Sequence, residues 1–263
     1  AFLVMASILT VQALFFADGG LLALGCNIWN LGFYPCYLIY PFIYKPWVGD
    51  SKHSGRILFA SVICVVLALQ LGAFSVVLQT LLSGKSELPF DTFVLLMQPI
   101  HLAIGCIEGF VTAAIINYVR SVRPEILESM AASRPLGAAV SLKKIMVTFV
   151  ALVVLTGGVL SWFASTHPDG LEWAIEKVTG KGELSEPGQG IVPALKGIQE
   201  WTAFLPDYSF KPGAVQPQKE AASPTWPGIE AGTSVSGIIG AAIVLGMIML
   251  IAMGIRTIRR RDT

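Results

Sequence analysis

Long apolar runs separated by short polar connections dominate the chain. They fall at about 1–16, 28–44, 57–82, 94–119, 145–163 and 235–255. A helix needs roughly 20 residues to cross the hydrocarbon core of a bilayer, and the third and fourth runs exceed that. None shows the strict alternation of a membrane barrel strand. Backbone groups in lipid must be satisfied within their own segment, which leaves helices as the reading. The pattern predicts an all-α fold, a polytopic membrane helical bundle with about six transmembrane helices in this fragment.

Composition strengthens that expectation. Apolar residues make up 54% of the 263, charged ones 13%, and mean hydropathy is +0.68, too little polar surface to coat a soluble globule. Eighteen basic and 17 acidic residues nearly cancel, so nothing marks a nucleic-acid binder. Their placement orients the chain. The stretches 45–56, 120–144 and 256–263 hold twelve Lys and Arg, against six on the other side. Under the positive-inside rule these face the cytoplasm, with the C-terminus, while 17–27 and 164–234 face outward. The expected location is the cell membrane, crossed several times.

The outer segment 164–234 carries nine acidic residues against five lysines and many Pro and Gly. It predicts an irregular loop with one short helix near 170–178. The basic, Pro-broken stretch 120–144 divides the chain into 1–135 and 140–263. The four cysteines (Cys26, Cys36, Cys64 and Cys106) lie in apolar segments and are expected as free thiols. The chain opens at Ala1 inside an apolar run, with no initiator Met and no signal-peptide n-region, and is read as a fragment.

Few residues carry chemistry. His101 and Glu108, seven apart in the fourth run, fall within about 20° of one helical face, with Thr112 on the same face and Gly105 and Gly109 beside them. Intramembrane ionisable groups mark a substrate path or a paired interior contact, and both readings stay open. The glycines suit close helix approach. Asp18-Gly19-Gly20 predicts a sharp turn, and Asn27 and Asn30 enter the following run where a chamber could open outward. His53 and His167 read as loop residues. No P-loop, H-E-x-x-H or C-x-x-C occurs, and no nucleophile–base pair is recognisable, so the chain is not expected to be an enzyme.

These segments together resemble a known family. Phe16-Ala17-Asp18-Gly19-Gly20 through Ala23-Leu24-Gly25-Cys26-Asn27, and His101-Leu102-x-Ile104-Gly105-x-x-Glu108-Gly109-x-x-Thr112, resemble the cobalt and nickel S component of energy-coupling-factor transporters, the CbiM/NikM family. Pro168-Asp169-Gly170-Leu171-Glu172-Trp173, Leu205-Pro206-Asp207-Tyr208 and Gly232-Thr233-Ser234-x-x-Gly237 resemble the PDGLE, or CbiN/NikN-like, module. The resemblance implies a CbiM/NikM-like transmembrane core over 1–135. It also implies a PDGLE module over 140–263, with two transmembrane helices and the extracytoplasmic loop 164–234. It implies a substrate-binding component of an ABC-type importer that takes Ni2+ or Co2+ as cargo, without a catalytic cofactor. Its implied partners are a transmembrane coupling (T) subunit and two ATPase subunits.

Family ligands, a Met-His N-terminus and an early histidine, are expected upstream of this fragment, so no metal ligand is assigned here. Asp18, Asn27, Asn30, His101 and Glu108 are expected around the substrate chamber as residues orienting the ligands. Asp169 and Glu172 are expected either to anchor the module on the N-terminal part or, for Asp169, to cap the short helix. The alternative function is a structural or assembly membrane subunit without its own metal site.

Overall fold

The structure, a computed structural model, describes residues 1–49, 53–84, 88–131, 142–163, 169–180, 190–211 and 228–261. Expectations on Lys52, Lys85, Arg134, His167, Pro168 and the stretches 181–189 and 212–227 lie outside the described residues. Every regular element among those described is helical. In chain order they are α1 (Phe2–Phe15), α2 (Leu24–Ile28), α3 (Trp29–Tyr44), α4 (Lys45–Val48), α5 (Ser54–Ser83) and α6 (Phe90–Val122). Then come α7 (Pro124–Ala131), α8 (Leu142–Gly158), α9 (Gly170–Thr179), α10 (Val192–Thr202) and α11 (Ala231–Arg261).

Three helices are long and apolar enough to cross a membrane: α5, α6 and residues Ala231–Ile258 of α11. The other three expected spans hold shorter elements, each for a visible reason. The first run stops at Phe15, because Ala17 (φ 55) and Gly19 (φ 75) turn the chain. The second is a 16-residue helix with the wide winding of i→i+5 bonding, and it contains Pro35 and Pro41. Each proline removes a backbone donor and disfavours a regular α-ladder. The fifth run ends its α-helix at Gly158, then tightens into a 3₁₀ turn over Leu160–Phe163. In the outer segment the helix expected near 170–178 is α9. Helix α10 and the turn Pro206–Tyr208 stand where the sequence pattern predicts irregular loop.

The chain forms two compact units. One comprises Ala1–Ile28, Lys143–His167 and Ser185–Thr263. Its core is Val11, Phe16 and Leu205, with Val235, Ile243, Val244 and Met247 of α11 packed around them. Small residues let its helices meet at backbone distance. A Cβ on Gly237 would lie 2.8 Å from the Cα of Gly157, and one on Gly240 would lie 3.0 Å from the Phe16 ring. Beside that crossing the Trp162 indole donates to Ser234 Oγ (2.7 Å), which donates to Gly158 O (2.7 Å). The C-terminal Gly-Thr-Ser-x-x-Gly motif is thus a packing device. In lipid, where side chains gain little from leaving the solvent, close packing and interhelical hydrogen bonds carry association.

The second unit comprises Trp29–Leu142 and Pro168–Leu184. Helices α5 and α6 pack along Gly105 and Gly109, where an added Cβ would lie 3.0 Å from Val66 Cα and 2.5 Å from Val62 Cα. Helix α9 lies against this pair. Its Ala174 is fully buried with Ala73, Val77, Phe93 and Met97, while Leu171, Trp173, Ile175 and Val178 flank the cluster. Two glutamines clasp α5 to α6: Gln70 Nε2 donates to Gln98 O (2.8 Å) and Gln98 Nε2 to Gln70 O (3.4 Å).

Candidate functional site

The turn after α1 is built from its ends inward. Asp18 N donates back to Gln12 O at 3.1 Å, which brings the Asp18 carboxylate over the last turn of the helix. Asp18 Oδ2 accepts from Gln12 Nε2 (3.1 Å) and from the Tyr208 phenol. Gln12 Nε2 also lies 3.0 Å from the phenol oxygen, so the three groups close a triangle. Asn27 Nδ2 donates to Gly19 O (3.3 Å) and braces the far side of the turn.

Tyr208 is held as firmly as the carboxylate it meets. Leu205 N donates to Phe15 O (3.3 Å) and Asp207 N to Phe16 O (2.8 Å), so the Leu205–Tyr208 segment caps the carbonyls that α1 leaves open. The Tyr208 ring stacks on Phe16 with centroids 5.0 Å apart, and Ser236 Oγ donates to Tyr208 O at 3.1 Å. Gly232 has no Cβ because one would lie 3.0 Å from Ser209 Cα. Asp207 and Tyr208 both adopt positive φ, 49° and 58°, as does Ala17 at 55°. Such backbone costs on the order of 1–3 kcal/mol per residue and persists only where the surroundings over-determine it. Burial first, and then the bond to Asp18, push the Tyr208 phenol above its ordinary value, opposed by the Gln12 donor. Gln12, Tyr208 and Ser236 form the polar edge of an otherwise apolar cavity of about 420 Å³ between α1 and α11.

In the second unit, the Asp169-Gly170-Leu171-Glu172 turn sits on His101. His101 Nδ1 meets Met97 O at 2.8 Å, and a carbonyl can only accept, so the proton is on Nδ1. A Cβ on Gly170 would lie 3.0 Å from His101 Cε1 and 3.4 Å from Nε2, so glycine there lets α9 start directly over the imidazole. Asp169 Oδ1 accepts from the N–H groups of Leu171 and Glu172, both at 2.8 Å, and Glu172 Oε2 accepts from Asp169 N at 3.3 Å. This is a complete capping box, the geometry of the cap reading. The helix it starts packs on α5 and α6 through apolar side chains.

The remaining candidates fall in different units. Asp18 and Asn27 share one turn. Asn30 is in the second unit, 4% exposed, and exchanges both amide bonds with Gln79 (3.1 and 3.2 Å), whose Nε2 also reaches Ser75 Oγ (3.2 Å). The stripe on α6 divides: Gly105 and Gly109 are buried against α5, His101 is half-buried, and Glu108 is exposed. The contact line follows the glycines, some 40–80° around the helix from His101. All four cysteines are free thiols, with Cys26 exposed and Cys64 buried. Among the described residues no group of three or more His, Cys, Asp or Glu gathers to hold a metal. The sequence reading passed over Gln12, Gln70, Gln79 and Gln98. An amide inside an apolar run was the available signal.

Long apolar helices, with polar side chains reserved for helix contacts and one braced turn, define an α-helical membrane protein. Residues 1–126 match the CbiM family, cobalt uptake substrate-specific transmembrane region, and residues 143–257 match the PDGLE domain. The chain is thus similar to a CbiM region over its first part and to a PDGLE domain over its second. It is 28% identical over 252 residues to an Archaeoglobus fulgidus protein whose name proposes a fused nickel transport protein, NikMN, covering 93% of this chain and 69% of that one. A proposed metal transport protein of Methanocaldococcus jannaschii is 32% identical over 127 residues, 46% of this chain and 55% of that one. The cobalt transport protein CbiM of Sorangium cellulosum is 29% identical over 131 residues, 46% of this chain and 54% of that one. The chain thus spans about two thirds of the fused relative and just over half of the other two. No solved structure matches it.

The compact units do not follow this division. The first combines the α1 end of the CbiM region with α8, α10 and α11 of the PDGLE domain. The second combines the CbiM helices with α9, which is capped by Asp169 and opens on Gly170-Leu171-Glu172.

Proposed function

We propose that the chain is the substrate-binding membrane component of an energy-coupling-factor transporter importing Ni2+ or Co2+. It acts without enzymatic chemistry of its own, and a transmembrane coupling subunit and two ATPase subunits drive it. The observations that carry this reading are the order of matched regions, CbiM then PDGLE, and the 28% identity along 93% of the chain to a relative named for nickel transport. Six crossings in the cell membrane with a cytoplasmic C-terminus follow from the apolar runs and the excess of Lys and Arg on one side. A division into 1–135 and 140–263 is supported by the family matches, which stop at 126 and resume at 143.

The turn that carries Asp18 and Asn27 is proposed to shape the metal chamber. Asn27 orients it by bracing the Asp18 turn, and Asp169 and Glu172 fix the start of α9 over His101. In the complete protein, Asn27→Leu is expected to weaken Ni2+ or Co2+ binding about 10–100-fold, the usual effect of removing a group that orients ligands. Calorimetry with each cation measures it, and an unchanged affinity reduces Asn27 to a turn former. Uptake of radioactive metal by cells making the chain with its partners tests the whole reading. No uptake above cells lacking the chain would leave an assembly subunit.

A further inference from the structure

We infer that Tyr208 is a positioning residue, through which the PDGLE domain sets the Asp18 turn of the CbiM region. The geometry is specific to this one side chain. Its phenol reaches the carboxylate and amide of Asp18 and Gln12, residues 190 and 196 positions away in the chain. Its ring covers Phe16, and its backbone carbonyl is held by Ser236 at 3.1 Å. No other hydroxyl or charged side chain of the PDGLE domain is recorded on Asp18 among the described residues.

The backbone on both sides of the contact is unfavourable when isolated. Ala17 stands on one side, and Asp207 and Tyr208 in succession on the other, all at φ between 49° and 58° without being glycine. Left-handed backbone in L-residues needs outside support, and consecutive residues need it twice. The phenol–carboxylate contact and the two backbone bonds to Phe15 and Phe16 supply it. Charge-assisted hydrogen bonds are the strong ones, so the phenol is the main element of the clasp that a single substitution can delete. The 17–20 turn therefore has its full set of bonds only while Leu205–Tyr208 is seated, and seating that segment is how the module acts on the CbiM region.

The contact itself stands independently of the cargo. Its consequence for metal binding rests on the transport reading above. The test uses the complete protein in detergent and the substitution Tyr208→Phe, which keeps the stack on Phe16 and removes only the hydroxyl. Tyr118→Phe, at an exposed tyrosine of α6, is the control. Amide hydrogen exchange at residues 17–20 is expected to accelerate about 10-fold or more, the loss of one hydrogen bond to a charged group, with the control unchanged. Ni2+ and Co2+ affinity by calorimetry is expected to fall about 10-fold, in the range for groups that act through another residue. The pair Asp18→Asn and Tyr208→Phe is expected to be non-additive, the double variant binding no more weakly than the weaker single.

Exchange at 17–20 identical to the unsubstituted protein would overturn the inference. So would faster exchange with unchanged metal affinity, which would leave Tyr208 as a structural clasp without influence on the cargo. If the unsubstituted protein binds neither cation, it is the transport reading that fails, and the exchange measurement alone decides the positioning.

Discussion

Gly109→Ala offers the sharpest check on how the two central helices meet. The added methyl would lie 2.5 Å from Val62 Cα, where ordinary contact begins at 3.4 Å, so α5 and α6 must part by the difference of 0.9 Å or distort. The neighbour is backbone, and Val62 Cβ and Cγ2 at 3.3 Å close the way around it. Overpacking against a well-filled site costs about 1–3 kcal/mol, and a backbone clash belongs at the upper end. Replacing glycine within a helix returns about 1 kcal/mol. The net is about 2 kcal/mol, which lowers the folded-to-unfolded ratio about 30-fold. For a chain of this size that is a fall of about 4–8 °C in the unfolding midpoint. Thermal unfolding in one detergent, followed by circular dichroism, measures it. Gly246→Ala, where nothing lies within 4 Å, is the matched comparison and is expected to unfold no earlier than the unsubstituted protein. Equal midpoints for the two variants would refute the close crossing.

Gln79→Leu strips the buried Asn30 of both amide bonds and leaves a polar group unsatisfied, a loss of about 1–3 kcal/mol that the same thermal assay reads, with no change disproving the pairing. Asp169→Ala removes the acceptor for two N–H groups and costs about 1 kcal/mol locally, so exchange in the first turn of α9 is expected to rise about 5-fold while Trp173 fluorescence stays native-like. Loss of the native Trp173 signal would restore an anchoring role to Asp169. Because the Tyr208 phenol is raised in the fold, the folded state holds its proton more tightly than the unfolded chain. Its stabilising contribution is complete below the ordinary phenol value of about 10 and is lost as pH rises beyond it. Stability should therefore fall above about pH 10, and Tyr208→Phe should remove that part of the alkaline dependence, seen as a flatter plot of midpoint against pH.

Local pattern carried most of the helices and few of their contacts. The apolar runs at 57–82 and 94–119 correspond to α5 and α6, because uninterrupted apolar residues of that length in lipid have only helical solutions. The glycines at 105 and 109 were legible as a crossing point for the same reason of size. The run at 28–44 was harder, since apolarity says nothing of how Pro35 and Pro41 rewind a helix. Helix α10 was missed because Pro193 and Gly197 read as loop residues, although a proline in the first turn is tolerated. Asp18 and Asn27 were recognised at their turn, but the partner of Asp18 was not. A phenol 190 residues away leaves no periodic trace in a single sequence. Neutral glutamines drew less attention than His101 and Glu108, yet in the structure it is the glutamines that pair.

The wide separation of those partners has a consequence for biosynthesis. Gln12 and Leu14 are translated 196 and 188 residues ahead of the side chains that bond them, Tyr208 and Thr202. At about 5–20 residues per second, α1 waits roughly 10–40 s for its mates. During that interval Asp18 lacks the Tyr208 phenol, Phe16 lacks the ring that stacks on it, and the end of the helix keeps open carbonyls. A ribosome stalled before the codon for Thr202 should display an Asp18 turn accessible to water-soluble thiol reagents at an introduced cysteine, and release of the full chain should close it.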